Sequence, residues 1–292
     1  MNNPIIPYHK TRIAPTPSGF LHVGNVLSFA ITDALARQSG AKILLRIDDI
    51  DQTRANPQYI QDIFDTLNFL EIPWDEGPRD LKEFEDTYSQ MHRMVLYNEA
   101  LTCLQDNSLV YACDCSRKQL IENECRCLEK HISLHAENVS WRLITGNDDD
   151  IVVKDYQGEI IKPTLPAEMH DFIVRKKDGF PAYQLTSIVD DLFYGVNLVI
   201  RGEDLWASTL AQHHLASLLK RDDFARIAFY HHALITDASG NKLSKSAGAT
   251  SVKYWRDNGK TAKGVYGLIG EILGIEEVVE DWEQLSAAII NT

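Results

Sequence analysis

A strand–turn–helix–strand–helix succession over residues 12–70 constrains this chain more than any other feature. An apolar stub, Arg12-Ile13-Ala14, enters a turn holding two prolines, two glycines and a histidine (PTPSGFLHVG). The run that follows places Val26, Leu27, Phe29, Ala30, Ile31, Ala34 and Leu35 at helical spacing. Gly40 is placed to cap that helix at its C-terminus, and KILLRI at 42–47 reads as a buried strand. Asn56-Pro57 offers an N-cap and a first-turn proline to a second helix, whose apolar stripe is Ile60, Ile63, Phe64, Leu67 and Leu70. Strands that alternate with helices at this spacing imply a parallel sheet.

The rest of the chain extends the pattern. A long helix is predicted from about Glu85 to Asp106, a strand at 196–200 (VNLVI) and a helix at 207–220. The expected fold is α/β, a Rossmann-type doubly wound parallel sheet, with an inserted zinc-binding subdomain and a short helical C-terminal tail. The expected boundaries are 1–110 for the first half of the catalytic domain, 111–170 for the polar insertion, 171–249 for the second half and 250–292 for the tail. The net charge of −13 argues against binding nucleic acid mainly by counterion release, and leaves recognition of shape open. No apolar run approaches the ~18 residues of a membrane span, and the N-terminus MNNPIIPYHK lacks the flank and core of a signal peptide. A cytoplasmic protein with no membrane partner is expected.

Three segments carry chemistry. Ligands of open α/β sheets bind beyond the C-terminal ends of the strands, where the opening turn lies. The helix that starts there offers amide N–H groups and a positive dipole end to phosphate; His22 can donate to a phosphate oxygen, and Gly24 lets a ligand approach closely. The second segment, LITDASGNKLSKS at 234–246, holds Lys242 and Lys245 in a cationic loop suited to a triphosphate and a leaving pyrophosphate. The third is the pair of C-x-C motifs, Cys113 with Cys115 and Cys125 with Cys127, nine residues apart. Four thiols so spaced in a cytosolic chain suggest a closed, structural tetrahedral Zn2+ site, not disulfides. His131 and His135 are further possible ligands. Cys103 is expected to be a packed core thiol.

HVGN and KLSKS resemble the two signature motifs of class I aminoacyl-tRNA synthetases. TRIAPTPSGFLHVGN, LLRIDDIDQTR, AYQLTSIVDD, VIRGEDL and KLSKS occur in the order and spacing of the glutamyl and glutaminyl enzymes, over nearly the whole chain. The resemblance implies an ATP site of His22, Gly24, Asn25, Lys242 and Lys245, with Mg2+ on the triphosphate and with His22, Lys242 and Lys245 catalytic. It implies a glutamate site of Arg12, Ala14, Thr16, Asp48, Tyr183 and Arg201. Arg12 and Arg201 would face the two carboxylates, Asp48 would hold the ammonium and Tyr183 would hydrogen-bond the substrate. Arg46 is assigned instead to a structural ion pair with an acid such as Asp49 or Asp204. Two departures stand out: Asp48 replaces the glutamate usual in glutamate-using relatives, and the second cysteine pair replaces a tyrosine followed four residues later by cysteine.

The chain ends about 46 residues after Ser246, so no large anticodon-binding domain is expected. That and the cysteine cluster resemble the glutamyl-Q tRNA(Asp) synthetases, a shortened branch of the family. This narrower resemblance implies ATP-dependent activation of L-glutamate and its transfer to the queuosine base of tRNA(Asp), by a monomer. Three alternatives remain: a compact glutamyl-tRNA synthetase that charges tRNA(Glu), a non-catalytic tRNA-binding paralogue and a nucleotidyltransferase.

Overall fold

The computed structural model describes residues 8–122, 125–146, 151–234 and 251–291. In chain order the strands are β1 Lys10–Ile13, β2 Lys42–Leu45, β3 Val110–Cys113, β4 Ser140–Leu143, β5 Val153–Asp155, β6 Ile160–Ile161, β7 Ile173–Arg175, β8 Leu198–Gly202 and β9 Ala228–His232. The α-helices are α1 Val23–Ser39, α2 Pro57–Phe69, α3 Leu81–Glu83, α4 Met94–Asp106, α5 Arg117–Glu122, α6 Tyr183–Phe193, α7 Trp206–Leu218, α8 Val252–Asp257, α9 Ala262–Leu273 and α10 Trp282–Asn291. They fall into two compact units: Met1–Gln90 with Val196–Asp204 and Phe229–Thr292, and Met91–Gly195 with Leu205–Ala228. Among the described residues no helix is long and apolar enough to cross a membrane.

In the first unit the predicted strand–helix–strand–helix order is present. β1 and β2 pair in parallel, from Lys10 opposite Lys42 to Ile13 opposite Leu45, and α1 joins them. Gly40 ends α1 with φ +75, a conformation that costs glycine little. The Asn56 side chain caps α2 through the Gln58 amide, Pro57 opens the helix, and Ile60, Ile63, Phe64, Leu67 and Leu70 are all buried. The Asn197 amide oxygen accepts from His9 N and Lys10 N at 3.0 Å, tying the start of β8 to β1. β9 lies beside β8. Helix α10 packs on α1: the Ser286 hydroxyl donates to Ala30 O at 3.2 Å, and the Arg37 guanidinium stacks 4.0 Å from the Trp282 ring centre.

Two predicted elements differ. The strand expected over 42–47 ends at Leu45, and the chain continues as a hydrogen-bonded loop. The helix expected from Glu85 begins only at Met94; a π turn over Phe84–Tyr88 and a 3-10 turn over Gln90–Arg93 precede it. Ser89 between them is extended, at φ −52 and ψ 141. The Asp49 carboxylate takes the Ser89 hydroxyl at 2.6 Å and the Gln90 amide at 2.7 Å, which diverts the chain from helical geometry. Local periodicity carries no signal of a partner forty residues away.

The second unit holds an antiparallel sheet ordered β3-β4-β7 and an antiparallel hairpin of β5 and β6, so the sheets of the chain are mixed, not uniformly parallel. Within it, α4 and α6 are joined by a buried polar cluster. Arg93 Nε donates to Asp190 at 2.7 Å, Tyr97 OH donates to the same carboxylate at 2.6 Å, and Arg93 Nη1 donates to Tyr194 OH at 3.0 Å. Burial and the Asp190 charge push the Tyr97 phenol up, so it stays protonated and remains the donor. Charges this deep are tolerable because each is paired and hydrogen-bonded.

His232 closes β9 against α1. Its Nδ1 meets Ala233 O at 2.9 Å, and since a carbonyl only accepts, that nitrogen carries the proton. Nε2 then accepts from the Ser28 hydroxyl at 3.2 Å. Burial pushes this imidazole below its ordinary 6.5. Below that pH the unfolded chain binds a proton that the folded chain refuses. The His232 contribution is therefore whole above about pH 6.5 and is lost as the pH falls from there toward the depressed folded value. The thermal midpoint of the parent chain is expected to fall more steeply between about pH 6.5 and 5 than that of His232→Gln, in matched melts followed by circular dichroism.

Candidate active site

The turn between β1 and α1 is organised by its histidine. His22 is the N-cap of α1: its Nδ1 accepts from Gly24 N at 3.1 Å, while its own N–H donates to Asn25 Oδ1 at 3.0 Å. This is a capping box with histidine and asparagine in place of the usual serine and glutamate. Asn25, assigned to ATP by resemblance, thus has a structural task as well. A Cβ on residue 24 would lie 3.1 Å from His22 Cε1, so any larger residue would require the histidine ring to shift by a few tenths of an ångström. Because Nδ1 accepts, the neutral ring carries its proton on Nε2. Ala14 is half-buried and Thr16 exposed on the same turn.

Lys242 and Lys245 lie outside the described residues. The chain that follows them returns to the turn: Ser251 bridges His22, and Val252 N donates to Leu21 O at 2.9 Å.

Charged side chains crowd the strands of this unit. Arg12 on β1 is 5% exposed and donates from Nη1 to Ile200 O at 3.2 Å. Arg201 on β8 is buried with its guanidinium 5.1 Å from the Phe229 ring centre. Arg46 and Asp48 form a buried two-pronged pair, with Nε to Oδ1 at 2.7 Å and Nη2 to Oδ2 at 3.0 Å. Arg46 is thus in an ion pair, as assigned, with Asp48 as a partner. Tyr183 belongs to the other unit, where it opens α6 and is 37% exposed.

The cysteines form a second centre. The sulfurs of Cys113, Cys115, Cys125 and Cys127 all lie within 4.8 Å of one another. Cys113–Cys125 is 3.6 Å, Cys115–Cys127 is 3.4 Å and Cys115–Cys125 is 4.0 Å. Metal–sulfur bonds of ~2.3 Å at tetrahedral angles give a sulfur–sulfur edge of about 3.8 Å, inside this range. All four cysteines are free, so nothing covalent holds them together. Burial, the Cys127 hydrogen bond and neighbouring Cys113 push the Cys115 thiol up to about 12, an arrangement a bound cation would reverse. His131 and His135 are not in the cluster, and His135 instead approaches Gln105 at 3.5 Å. Cys103, expected in the core, is only half-buried and lines a cavity of 340 Å³ between α4 and α6.

The family described as tRNA synthetases class I (E and Q), catalytic domain, matches residues 9–266. The chain belongs to this family. A glutamyl-Q tRNA(Asp) synthetase of Synechococcus sp. (strain CC9605) is 34% identical over 265 residues, which cover 89% of this chain and 81% of that protein. A glutamyl-Q tRNA(Asp) synthetase of Nitratidesulfovibrio vulgaris is 33% identical over 292 aligned positions, covering 91% of this chain and 86% of its own length. Among solved structures, the glutamate-tRNA synthetase of Elizabethkingia anophelis superposes with a TM-score of 0.69 at 20% identity, over 96% of this chain and 65% of that one. That likeness establishes a class I synthetase fold.

Within this class I fold, sequence reasoning missed Asp49, Ser89 and Gln90. The only available signal was the second carboxylate of the Asp48-Asp49 pair. Between Asp114 and Asn138, Cys127 alone is buried among the described residues, so this stretch has almost no apolar core of its own. A metal held by the four sulfurs would then supply folding energy for the segment. Purified protein is expected to carry about one tightly held metal ion per chain by elemental analysis. A strong chelator should lower the thermal midpoint, and Cys127→Ser should lose the ion; a metal-free parent with an unchanged midpoint would contradict this.

Proposed function

We propose that this chain activates L-glutamate with ATP and transfers the glutamyl group to the queuosine base in the anticodon of tRNA(Asp). The observation that carries the reading is the His22 cap. It sets an imidazole and the first amides of α1 beyond β1, in a turn that lies within the family match and resembles a class I signature motif. The names of the two curated relatives support the nature of the acceptor.

In the first step a substrate carboxylate oxygen attacks the α-phosphorus of ATP, the bond to the bridging oxygen breaks, and pyrophosphate leaves. No protein nucleophile is required; placement and charge stabilisation lower the barrier. His22 Nε2–H donates to a phosphate oxygen as negative charge builds there. Lys242 and Lys245 are assigned to the leaving pyrophosphate, and Mg2+ accompanies the triphosphate as it enters. Arg12 and Arg201 take the two carboxylates of glutamate, an arrangement that leaves a neutral amide side chain without a partner for one cation. Asp48 accepts the ammonium; a carboxylate offers about four acceptor positions, so holding Arg46 does not preclude this. Tyr183 is assigned a hydrogen bond to the amino acid by resemblance alone. In the second step a hydroxyl of the queuosine cyclopentene ring attacks the adenylate carbonyl, and AMP departs. Cys113, Cys115, Cys125 and Cys127 would hold a metal, assigned as Zn2+, that would serve structure and not either step, since four sulfur ligands would leave no open position.

Charging tRNA(Glu) on its terminal ribose uses the same first step, and the match to the general family keeps it as the rival. Labelled glutamate, ATP and Mg2+ with total tRNA from cells that make or lack queuosine separates the two. Label confined to the queuosine-containing pool is expected; equal label in both pools would replace this reading with the rival. Asparagine is a strong N-cap, so His22→Asn should keep the melting midpoint within a few degrees yet lower the charging rate by roughly 100-fold. A comparable rate would remove His22 from the chemistry.

A further inference from the structure

We propose that Asp49, Ser89 and Gln90 form a clamp that fixes the position of Asp48 and so sets the affinity for the amino acid. The inference rests on the assignment of Asp48 to the ammonium given above. Asp49 is 4% exposed and Gln90 1%. One Asp49 oxygen accepts the Ser89 hydroxyl at 2.6 Å and Gln52 Nε2 at 3.2 Å; the other accepts the Gln90 amide at 2.7 Å. The Gln90 side chain answers by accepting Ile50 N at 2.7 Å. The chain at 49–50 is therefore held through both side chain and backbone by residues forty positions away. Charge-assisted bonds of this length are among the stronger polar contacts in proteins.

The clamp interrupts a helix. Residues 85–106 have helical periodicity, yet the chain leaves helical geometry at Ser89, where Asp49 takes two of its polar groups. On its other side Asp48 is fixed through its backbone N–H on Pro15 O at 3.0 Å and through its carboxylate on Arg46. With these restraints the carboxylate has one place. An aspartate is one methylene shorter than glutamate and has fewer rotamers with which to reach a ligand, so the backbone must deliver it. Displacing a binding group by about 1 Å forfeits much of its contribution. Asp49, Ser89 and Gln90 are positioning residues: they act through Asp48.

The test is equilibrium dialysis of the full chain with labelled L-glutamate and, separately, with ATP. Ser89→Ala should weaken glutamate binding roughly tenfold while ATP binding stays within about twofold, and Ser89→Thr, which restores the hydroxyl, should recover the parent value. Asp49→Asn should weaken glutamate binding further; where it fails to fold, the Ser89 pair decides. Parent-like glutamate affinity in Ser89→Ala, or an equal loss for glutamate and ATP, overturns the clamp. Asp48→Ala separates the two levels. If it abolishes glutamate binding while Ser89→Ala keeps it, only the clamp falls. If it binds glutamate like the parent, the assignment of Asp48 falls and takes the clamp with it.

Discussion

The parallel pairing of β1 with β2 does not stop where the strands do. Arg46 N donates to Ile13 O at 2.9 Å and Asp48 N to Pro15 O at 3.0 Å, so the two loops leave the sheet hydrogen-bonded to each other. Everything placed on those loops inherits that register. The turn that carries Ala14, Thr16 and His22 is fixed relative to the segment that carries Arg46, Asp48 and Asp49. A parallel pair needs a long crossover, and α1 is that crossover. Its N-terminus must therefore lie beyond the same strand end, where its cap becomes part of the site.

This arrangement concentrates buried charge. Arg12, Arg46, Asp48, Asp49 and Arg201 are each at most 6% exposed in one unit. Such burial is unfavourable unless every group is paired, and an apolar replacement of similar shape is often no worse for stability. Stability therefore does not explain their presence. Their value is orientation: a two-pronged guanidinium–carboxylate pair and a carboxylate with three donors have few alternative geometries. The rest of the unit supplies the stabilisation, through the apolar face of α2 and the docking of α10 on α1.

What could be read from the sequence was what local chemistry determines. Asn56 and Pro57 start α2 and Gly40 ends α1 as expected, because caps and left-handed glycines act within a few residues. The break at Ser89 was illegible because its cause, Asp49, is remote in sequence. Arg46 pairs with Asp48 because residues i and i+2 of an extended segment share a face. His22 was offered to phosphate from its place where a helix starts beyond a strand end; its capping role follows from the chemistry of an imidazole acceptor.

The cysteine segment shows the same division from the opposite side. Its motif spacing was plain, yet its fold cannot come from hydrophobic burial, since its exposed residues leave Cys127 as the one buried side chain between Asp114 and Asn138 among the described residues. The flanking strands β3 and β4 pair antiparallel and fix Cys113 opposite Ser140, so the sheet delivers the first sulfur to a set place. Tyr111, on the same strand, donates to Asp171 at 3.1 Å and sits 3.9 Å from the Cys125 sulfur. The sheet thus presents one fixed thiol and a phenol wall, and the loop folds back to bring the remaining three sulfurs to it. A metal ion joining four such ligands would replace the core that the segment lacks, which fits a motif dense in cysteine and poor in apolar residues.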